Sequence, residues 1–119
     1  MNEHQFKART KQLALRVIRL VEVLPQTRTA DVISKQLLRS ATSVAANYRA
    51  ACRAKSAADL IAKLGIVEEE ADETLYWLEL LVESGLMSAD KLKSLMQEST
   101  EILAMTVASI KTLKEKHKK

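Results

Sequence analysis

Turn-forming residues are almost absent from this sequence, which has two glycines and one proline among 119 residues. A sheet of many strands needs a turn between each pair of strands, and glycine and proline form most such turns. Long helices need only a few connections. The sequence therefore predicts an all-α fold, and its length fits one domain that covers residues 1–119.

Four segments carry apolar residues at alternating spacings of three and four, which is the pattern of a helix with one buried face. The connections between these segments are short, so that consecutive helices should run antiparallel. The expected fold is an up-down-up-down four-helix bundle. Its predicted helices cover residues 4–23, 28–52, 57–84 and 89–113, and a frayed basic tail follows over residues 114–119.

Hydroxyl residues stand at the expected starts of three helices. Thr27 or Thr29 can cap the second helix, Ser56 the third and Ser88 the fourth, because their side-chain oxygens can accept bonds from the first-turn amides. Gly65 lies inside the third helix, where glycine costs about 1 kcal/mol relative to alanine. We expect a neighbouring backbone to approach closely there.

The second and third helices carry polar residues that can face one another. Ser40, Ser43 and Asn47 follow i, i+3, i+7 spacing and so share one side of the second helix, among many alanines. Glu69 and Glu73 share a side of the third helix. Because buried polar groups need partners, we predict that these five side chains form a structural polar seam between the two helices.

Charge is distributed unevenly along the chain. Residues 1–63 hold 12 Lys and Arg against 4 Asp and Glu, whereas residues 64–101 hold 2 against 10. The bases can bind phosphates of a nucleic acid, remain as a solvated surface, or pair with carboxylates of residues 68–73. The candidate phosphate contacts are Arg9, Arg16, Arg19, Arg39, Arg49, Arg53 and Lys55.

Base-specific recognition has little support, since the aromatic residues Phe6, Tyr48, Tyr76 and Trp77 are all expected in the core. The sequence therefore favours recognition of the nucleic-acid backbone or shape. The alternative is a protein-interaction adaptor that has no nucleic-acid affinity of its own, with its acidic third helix facing a basic partner. Charge reversal of Arg49 and Arg53 would distinguish these two hypotheses.

Catalysis has no supporting motif. Glu69 and Glu73 could suggest a metal site, but bundle metal sites use Glu-x-x-His pairs, and His4 and His117 stand at opposite ends of the sequence. Cys52 is the single cysteine and is expected to be a packing residue. We predict a protein that is not an enzyme and has no cofactor or metal. No segment has the length and hydrophobicity of a signal peptide or membrane span, so the expected location is cytoplasmic, with no membrane partner.

One resemblance covers nearly the whole chain. It rests on the segment Gln-Leu-Leu-Arg-Ser-Ala-Thr-Ser-Val at 36–44 with Asn47, on 60–65, and on 69–78. These segments resemble the "four helix bundle protein" family, also called 23S ribosomal RNA intervening-sequence proteins. The sequence departs from that family's Asn-x-x-Glu-Gly segment, because Tyr-Arg-Ala-Ala follows Asn47 here. No role of that family glutamate can therefore be carried over.

The resemblance implies an assembly and partners. Proteins of this kind form ring-like homopentamers, and some are accessory subunits that bind a reverse transcriptase and RNA in diversity-generating retroelements. The chain itself indicates association but not its stoichiometry, since Leu15, Leu38, Ile61 and Leu80 flank the buried stripes of their helices. We therefore expect a homopentamer that binds RNA or DNA and that has a reverse transcriptase or another protein as a partner.

Overall fold

Four long helices make up the computed structural model, which describes residues 1–118. They are α1 (Glu3–Glu22), α2 (Arg28–Ala51), α3 (Ala57–Glu83) and α4 (Ala89–Lys116). No residue in the described part of the chain adopts a β-strand, which confirms the all-α prediction. The bundle measures 52 × 22 × 20 Å.

Helices that follow one another in sequence pack side by side and antiparallel, and α4 returns to α1. The α2–α3 pair makes the most extensive backbone approach, whereas α1 and α4 approach each other least. The buried faces form one main cluster along the bundle axis. Its fully buried members include Leu13, Val17, Leu37, Val44, Val67, Leu78, Leu81 and Ile102.

Capping side chains determine where the helices begin. Thr27, Ser56 and Ser88 each accept a bond from the amide three residues later, as the sequence predicts. Asn2 adds a capping box with Gln5 at the start of α1. After α3, Gly85 adopts φ +81°, a left-handed conformation that glycine accommodates without Cβ strain.

Two expectations about local structure are wrong. The fourth helix extends to Lys116, three residues beyond the predicted end at 113, so half of the predicted tail 114–119 is helical; Lys119 lies outside the described residues. Gly65 makes no close contact with a neighbouring backbone, because a Cβ built there meets nothing within 4 Å. Within one protomer, the side of α3 at Gly65 faces open space.

None of the four helices, over residues 1–118, combines the length and hydrophobicity that a membrane crossing requires.

Candidate nucleic-acid interface

The α2–α3 interface contains the polar seam that the sequence predicts, with one change of residue. Thr74 Oγ1 donates to Ser40 Oγ at 3.0 Å in the fully buried part of this interface. Ser43 Oγ donates to Glu70 Oε2 at 3.0 Å, and Asn47 Nδ2 donates to Ser43 Oγ at 2.8 Å. Short side chains therefore set the register of the two helices through direct contacts.

Glu70, not Glu69, supplies the seam carboxylate. Glu70 comes three residues after buried Val67 and four before buried Thr74, which puts it beside the core stripe and next to α2. Glu69 is one residue earlier, about 100° around the helix, and its side chain is exposed. The assignment of Glu69 to the seam is therefore corrected to Glu70.

Glu73 joins the seam at its solvent edge. Trp77 Nε1 donates to Glu73 Oε2 at 3.0 Å, and Arg39 bonds both Glu73 and Glu70. The bonds from Trp77 and from Arg39 hold the pKa of Glu73 below its ordinary value. Arg39, predicted as a phosphate contact, is thus bonded within the subunit and holds α2 against α3.

Arg9 is also bonded within the subunit. Its Nε lies 2.6 Å from Glu98 Oε2, its Nη2 lies 2.8 Å from Glu98 Oε1, and the same nitrogen bonds Glu101. The bond from Arg9, with a smaller contribution from Gln97, lowers the pKa of Glu101. Arg9 therefore bridges α1 and α4, which approach each other least among the neighbouring pairs of helices.

Arg16 makes a second bridge between the same helices. It is half-buried, and its Nη2 donates to Ser94 Oγ at 3.0 Å. Arg9 and Arg16 stand seven residues apart on α1 and so share the flank that faces α4. Three of the seven candidate phosphate contacts, Arg9, Arg16 and Arg39, thus hold the bundle together.

The other four candidates, Arg19, Arg49, Arg53 and Lys55, have exposed side chains. Within residues 1–118, none of them takes part in an ion pair. Arg49 stands in the last turn of α2, and Arg53 and Lys55 lie in the connection to α3. Arg19 lies apart from them, near the other end of the bundle on α1.

The C-terminal part of α4 reaches the same end of the bundle as Arg49, Arg53 and Lys55. One groove of about 840 Å³ is lined by both Lys55 and His117, together with Phe6, Tyr48 and Leu113. Lys111, Lys114 and Lys116 are exposed on this part of α4. We call the following six residues the basic end: Arg49, Arg53, Lys55, Lys111, Lys114 and Lys116.

The basic end has fewer acidic side chains than basic ones. Asp59 is bonded through both oxygens to Lys63 Nζ at 2.7 Å and also accepts the backbone amide of Lys55 at 3.1 Å. Glu3 lines the groove, and Glu115 shares the last turns of α4 with the lysines. Sequence reasoning misses the three α4 lysines as candidates, because it places two of them in a frayed tail.

Aromatic residues divide between the core and the surface. Phe6 and Tyr48 meet edge to face at 4.7 Å between centroids, and burial, followed by the nearby Cys52 thiol, raises the pKa of Tyr48 to about 12. Tyr76 is 51% exposed, so its predicted place in the core is wrong. The residue lies on the acidic outer surface of α3, away from the basic end.

The arrangement offers positive charge at one end of the bundle. In the described chain, no three His, Cys, Asp or Glu side chains gather as a metal ion would require. His117 is at the end of α4 and His4 is in the first turn of α1. Guanidinium and ammonium groups at one end of the bundle can bind phosphates by charge and hydrogen bonding.

Comparisons with known proteins agree with the fold. The family model for the 23S rRNA-intervening sequence protein matches residues 2–108. A crystal structure at 1.70 Å resolution of a protein with unknown function, from the S23 ribosomal protein family of Bacteroides thetaiotaomicron VPI-5482, is similar at 40% identity with a TM-score of 0.86. The match covers 93% of this chain and 99% of that one. No curated protein matches the chain significantly.

Proposed function

Because this chain belongs to the 23S rRNA-intervening sequence protein family, we propose that it is a non-enzymatic, homopentameric protein that binds RNA or another nucleic acid through phosphate contacts. The single observation that carries the proposal is the basic end, where two helices and one connection bring six exposed Lys and Arg side chains to the same end of the bundle. The proposed contacts are these six residues.

The distribution of ion pairs supports this choice of surface. The chain uses Arg9 and Arg39 in bridges to carboxylates and Arg16 in a bridge to a serine hydroxyl, so each of them is already bonded within the subunit. The side chains of the basic end are exposed to solvent instead. Bases at one end of the bundle repel one another, and a polyanion that neutralises them weakens this repulsion. The phosphate groups of a polynucleotide are anions that both Arg and Lys bind well.

Recognition by backbone and shape is favoured over recognition by sequence. Base stacking uses exposed aromatic rings beside the phosphate contacts, but Phe6 and Tyr48 pack on each other at this end of the bundle. Arg and Lys contacts to phosphates provide affinity without sequence preference. We therefore expect tight binding only at low salt and weak discrimination among sequences of equal length.

Assembly would strengthen such binding. In a ring of five copies with parallel bundle axes, five basic ends would lie on one side of the ring, and linked sites on one polymer raise the apparent affinity above that of a single site. The same surface could serve a reverse transcriptase or another nucleic-acid enzyme as an accessory subunit. This function fits the cytoplasmic location that the sequence predicts.

One observation favours the second candidate, an adaptor that binds a protein. Tyr76 is exposed and packs edge to face on Trp77, with 5.0 Å between the ring centroids. The part of α3 that follows residue 63 contains seven Asp and Glu residues and no Lys or Arg. Exposed aromatic residues are enriched at protein interfaces. Under this alternative α3 binds a basic partner and the basic end binds nothing.

The experiment compares two double charge reversals at opposite ends of the bundle. R49E/R53E changes the basic end, whereas K91E/K93E makes the same change in charge at exposed positions in the first turns of α4. The proposal predicts at least a tenfold loss of RNA retention for R49E/R53E and a much smaller loss for K91E/K93E. Equal losses would reduce the effect to net charge, and unchanged retention in both would favour the adaptor.

A further inference from the structure

The outer surface of α3 exposes apolar and acidic residues together. Ile66, Glu69, Glu73 and Tyr76 follow i, i+3, i+7, i+10 spacing and so form one stripe. Ile66 is 42% and Tyr76 51% exposed. Tyr76 packs on the edge of half-buried Trp77. We call this stripe the acidic face.

The outer surface of α1 has the opposite charge and its own exposed apolar residue. Lys11, Leu15 and Ile18 follow i, i+4, i+7 spacing, and Arg19 is next to them. Ile18 is 40% exposed, and Lys11 and Arg19 point to solvent. These four residues form the basic face, which is distinct from the basic end.

The two faces lie on different sides of the protomer but at the same height. In the bundle α1 and α3 are not neighbours, since each packs only on α2 and α4. Phe6 of α1 packs on Tyr48 of α2, and at 1.5 Å per residue Ile18 is about 18 Å above that level. Arg39 is nine residues above Tyr48 along α2, and it bonds Glu73 of α3. Tyr76 is three residues further along α3, so it also lies about 18 Å above the level of Tyr48.

We propose that the acidic face of α3 docks on the basic face of α1 in a second copy of this chain, with Tyr76 packing against Ile18. The proposal rests on the proposed homopentamer and identifies the two surfaces that meet between its neighbouring subunits.

Charge complementarity selects the occupant. Glu73 is already bonded to Arg39 of its own subunit, so the carboxylate of this face that has no ion pair among the described residues is Glu69. A symmetric contact of α3 with α3 would bring two such carboxylates together, whereas α3 on α1 pairs Glu69 with Lys11 or Arg19.

Such a contact is head-to-tail, because it uses a different surface on each copy. Head-to-tail contacts form a closed ring when the rotation between copies closes, and equal heights of the two faces favour a ring over a helical filament. Arg19 then takes part in the subunit contact instead of binding phosphate. The basic end lies at the other end of the bundle and stays accessible in the ring.

The experiment disrupts each face in a separate variant and then mixes the two variants. I18E puts a carboxylate opposite the acidic face, and Y76K puts an ammonium opposite the basic face; both positions are exposed, so each variant should keep its helicity. V107E is the matched control, since Val107 is 43% exposed on α4 outside both faces. Native mass is measured for each protein alone and for an equimolar mixture.

We expect I18E and Y76K each to fall to the 13.3 kDa monomer, and V107E to keep the wild-type mass. The mixture should form a heterodimer of one I18E chain and one Y76K chain, because the intact α3 face of I18E can dock on the intact α1 face of Y76K. A wild-type oligomer whose mass survives both changes, or a mixture that stays monomeric, would overturn the proposed contact. A monomeric wild type would instead overturn the proposed assembly itself.

Tryptophan fluorescence gives a second measurement on the unmodified protein. Trp77 is the single tryptophan, and it packs beside Tyr76 within the proposed contact. Dilution to the monomer should therefore shift its emission to longer wavelength. Dissociation by mass without any change in emission would overturn the contact. RNA retention by I18E, measured in parallel, reports separately on the basic end.

Discussion

The α2–α3 and α1–α4 interfaces solve the same packing problem with side chains of different length. Between α2 and α3, Ser40, Ser43 and Thr74 make bonds of about 3 Å, which is possible only because the backbones lie close together. Between α1 and α4 the backbones approach least, and Arg9 and Arg16 reach across the gap. Short polar residues therefore demand one register, whereas long ones tolerate a shift.

This difference predicts which interface is the more sensitive to mutation. A short, fully buried side chain leaves no space for added atoms. A long, partly solvated ion pair contributes modestly, because water competes for both partners. We therefore expect changes in the α2–α3 seam to cost more stability than changes in the α1–α4 bridges.

The largest effect is expected from S40L in the α2–α3 seam. Ser40 is fully buried beside Thr74, so the larger leucine side chain must push the helices apart. Overpacking of this kind should lower the free energy of unfolding by about 2 to 3 kcal/mol in urea denaturation. S40A is the control, and a loss as large as that of S40L would show that the hydroxyl, not the space, matters.

A smaller effect is expected from R9M in the α1–α4 bridge. Methionine keeps most of the aliphatic stem but leaves Glu98 and Glu101 without their cation. The side chain of Arg9 is 20% exposed, so we expect a loss of about 1 kcal/mol in the same urea measurement. A loss above that of S40L would reverse the order of the two interfaces.

G65A tests a part of α3 that has room. Nothing lies within 4 Å of an added Cβ at Gly65, so alanine should raise the free energy of unfolding by about 0.5 to 1 kcal/mol through helix propensity. Destabilisation of the monomer would mean that the backbone approaches a neighbour there after all. Unchanged monomer stability with a lower assembled mass would point to a contact between copies at this position.

The pH dependence should be the subtlest difference. The pKa values of Glu73 and Glu101 are lowered by bonds from Trp77 and Arg39 and from Arg9, respectively. A carboxyl whose folded pKa is lowered contributes stability above its unfolded pKa and loses it as pH falls through the folded pKa. The wild type should therefore lose more stability than R9M between about pH 5 and pH 3. An equal loss of stability in the wild type and in R9M over this pH range, measured by urea denaturation, would contradict this prediction.

Much of the fold follows from local sequence, and this explains what can be predicted. Helix periods and the caps at Thr27, Ser56 and Ser88 depend on residues a few positions apart, so the predicted ends of α1, α2 and α3 lie within one residue of the observed ends. The end of α4 is different, since its lysines offer no glycine or proline that would stop a helix. Leu113 packs against the small buried cluster around Ile110, and the helix continues past the predicted end.

The functional surface depends on contacts that the sequence does not display. Arg9 and Glu98 are 89 residues apart, so nothing local indicates that this arginine is bonded within the subunit while Arg49 is exposed. Glu69 and Glu70 are adjacent carboxylates, and hydrophobic periodicity does not tell which of them faces α2. Charge counts predict a basic surface, but only packing divides its residues between bridges and solvent.

The most direct test of the basic end is the affinity for single-stranded RNA across a salt series, measured together with the mass of the protein in the same buffers. Phosphate binding by the basic end predicts an oligomer whose log affinity falls linearly with log salt concentration. In R49E/R53E the slope should become shallower by about 0.7 for each phosphate that the variant no longer binds. An oligomer that binds no RNA at about 50 mM salt, or a slope that the double variant leaves unchanged, would contradict phosphate binding by this surface.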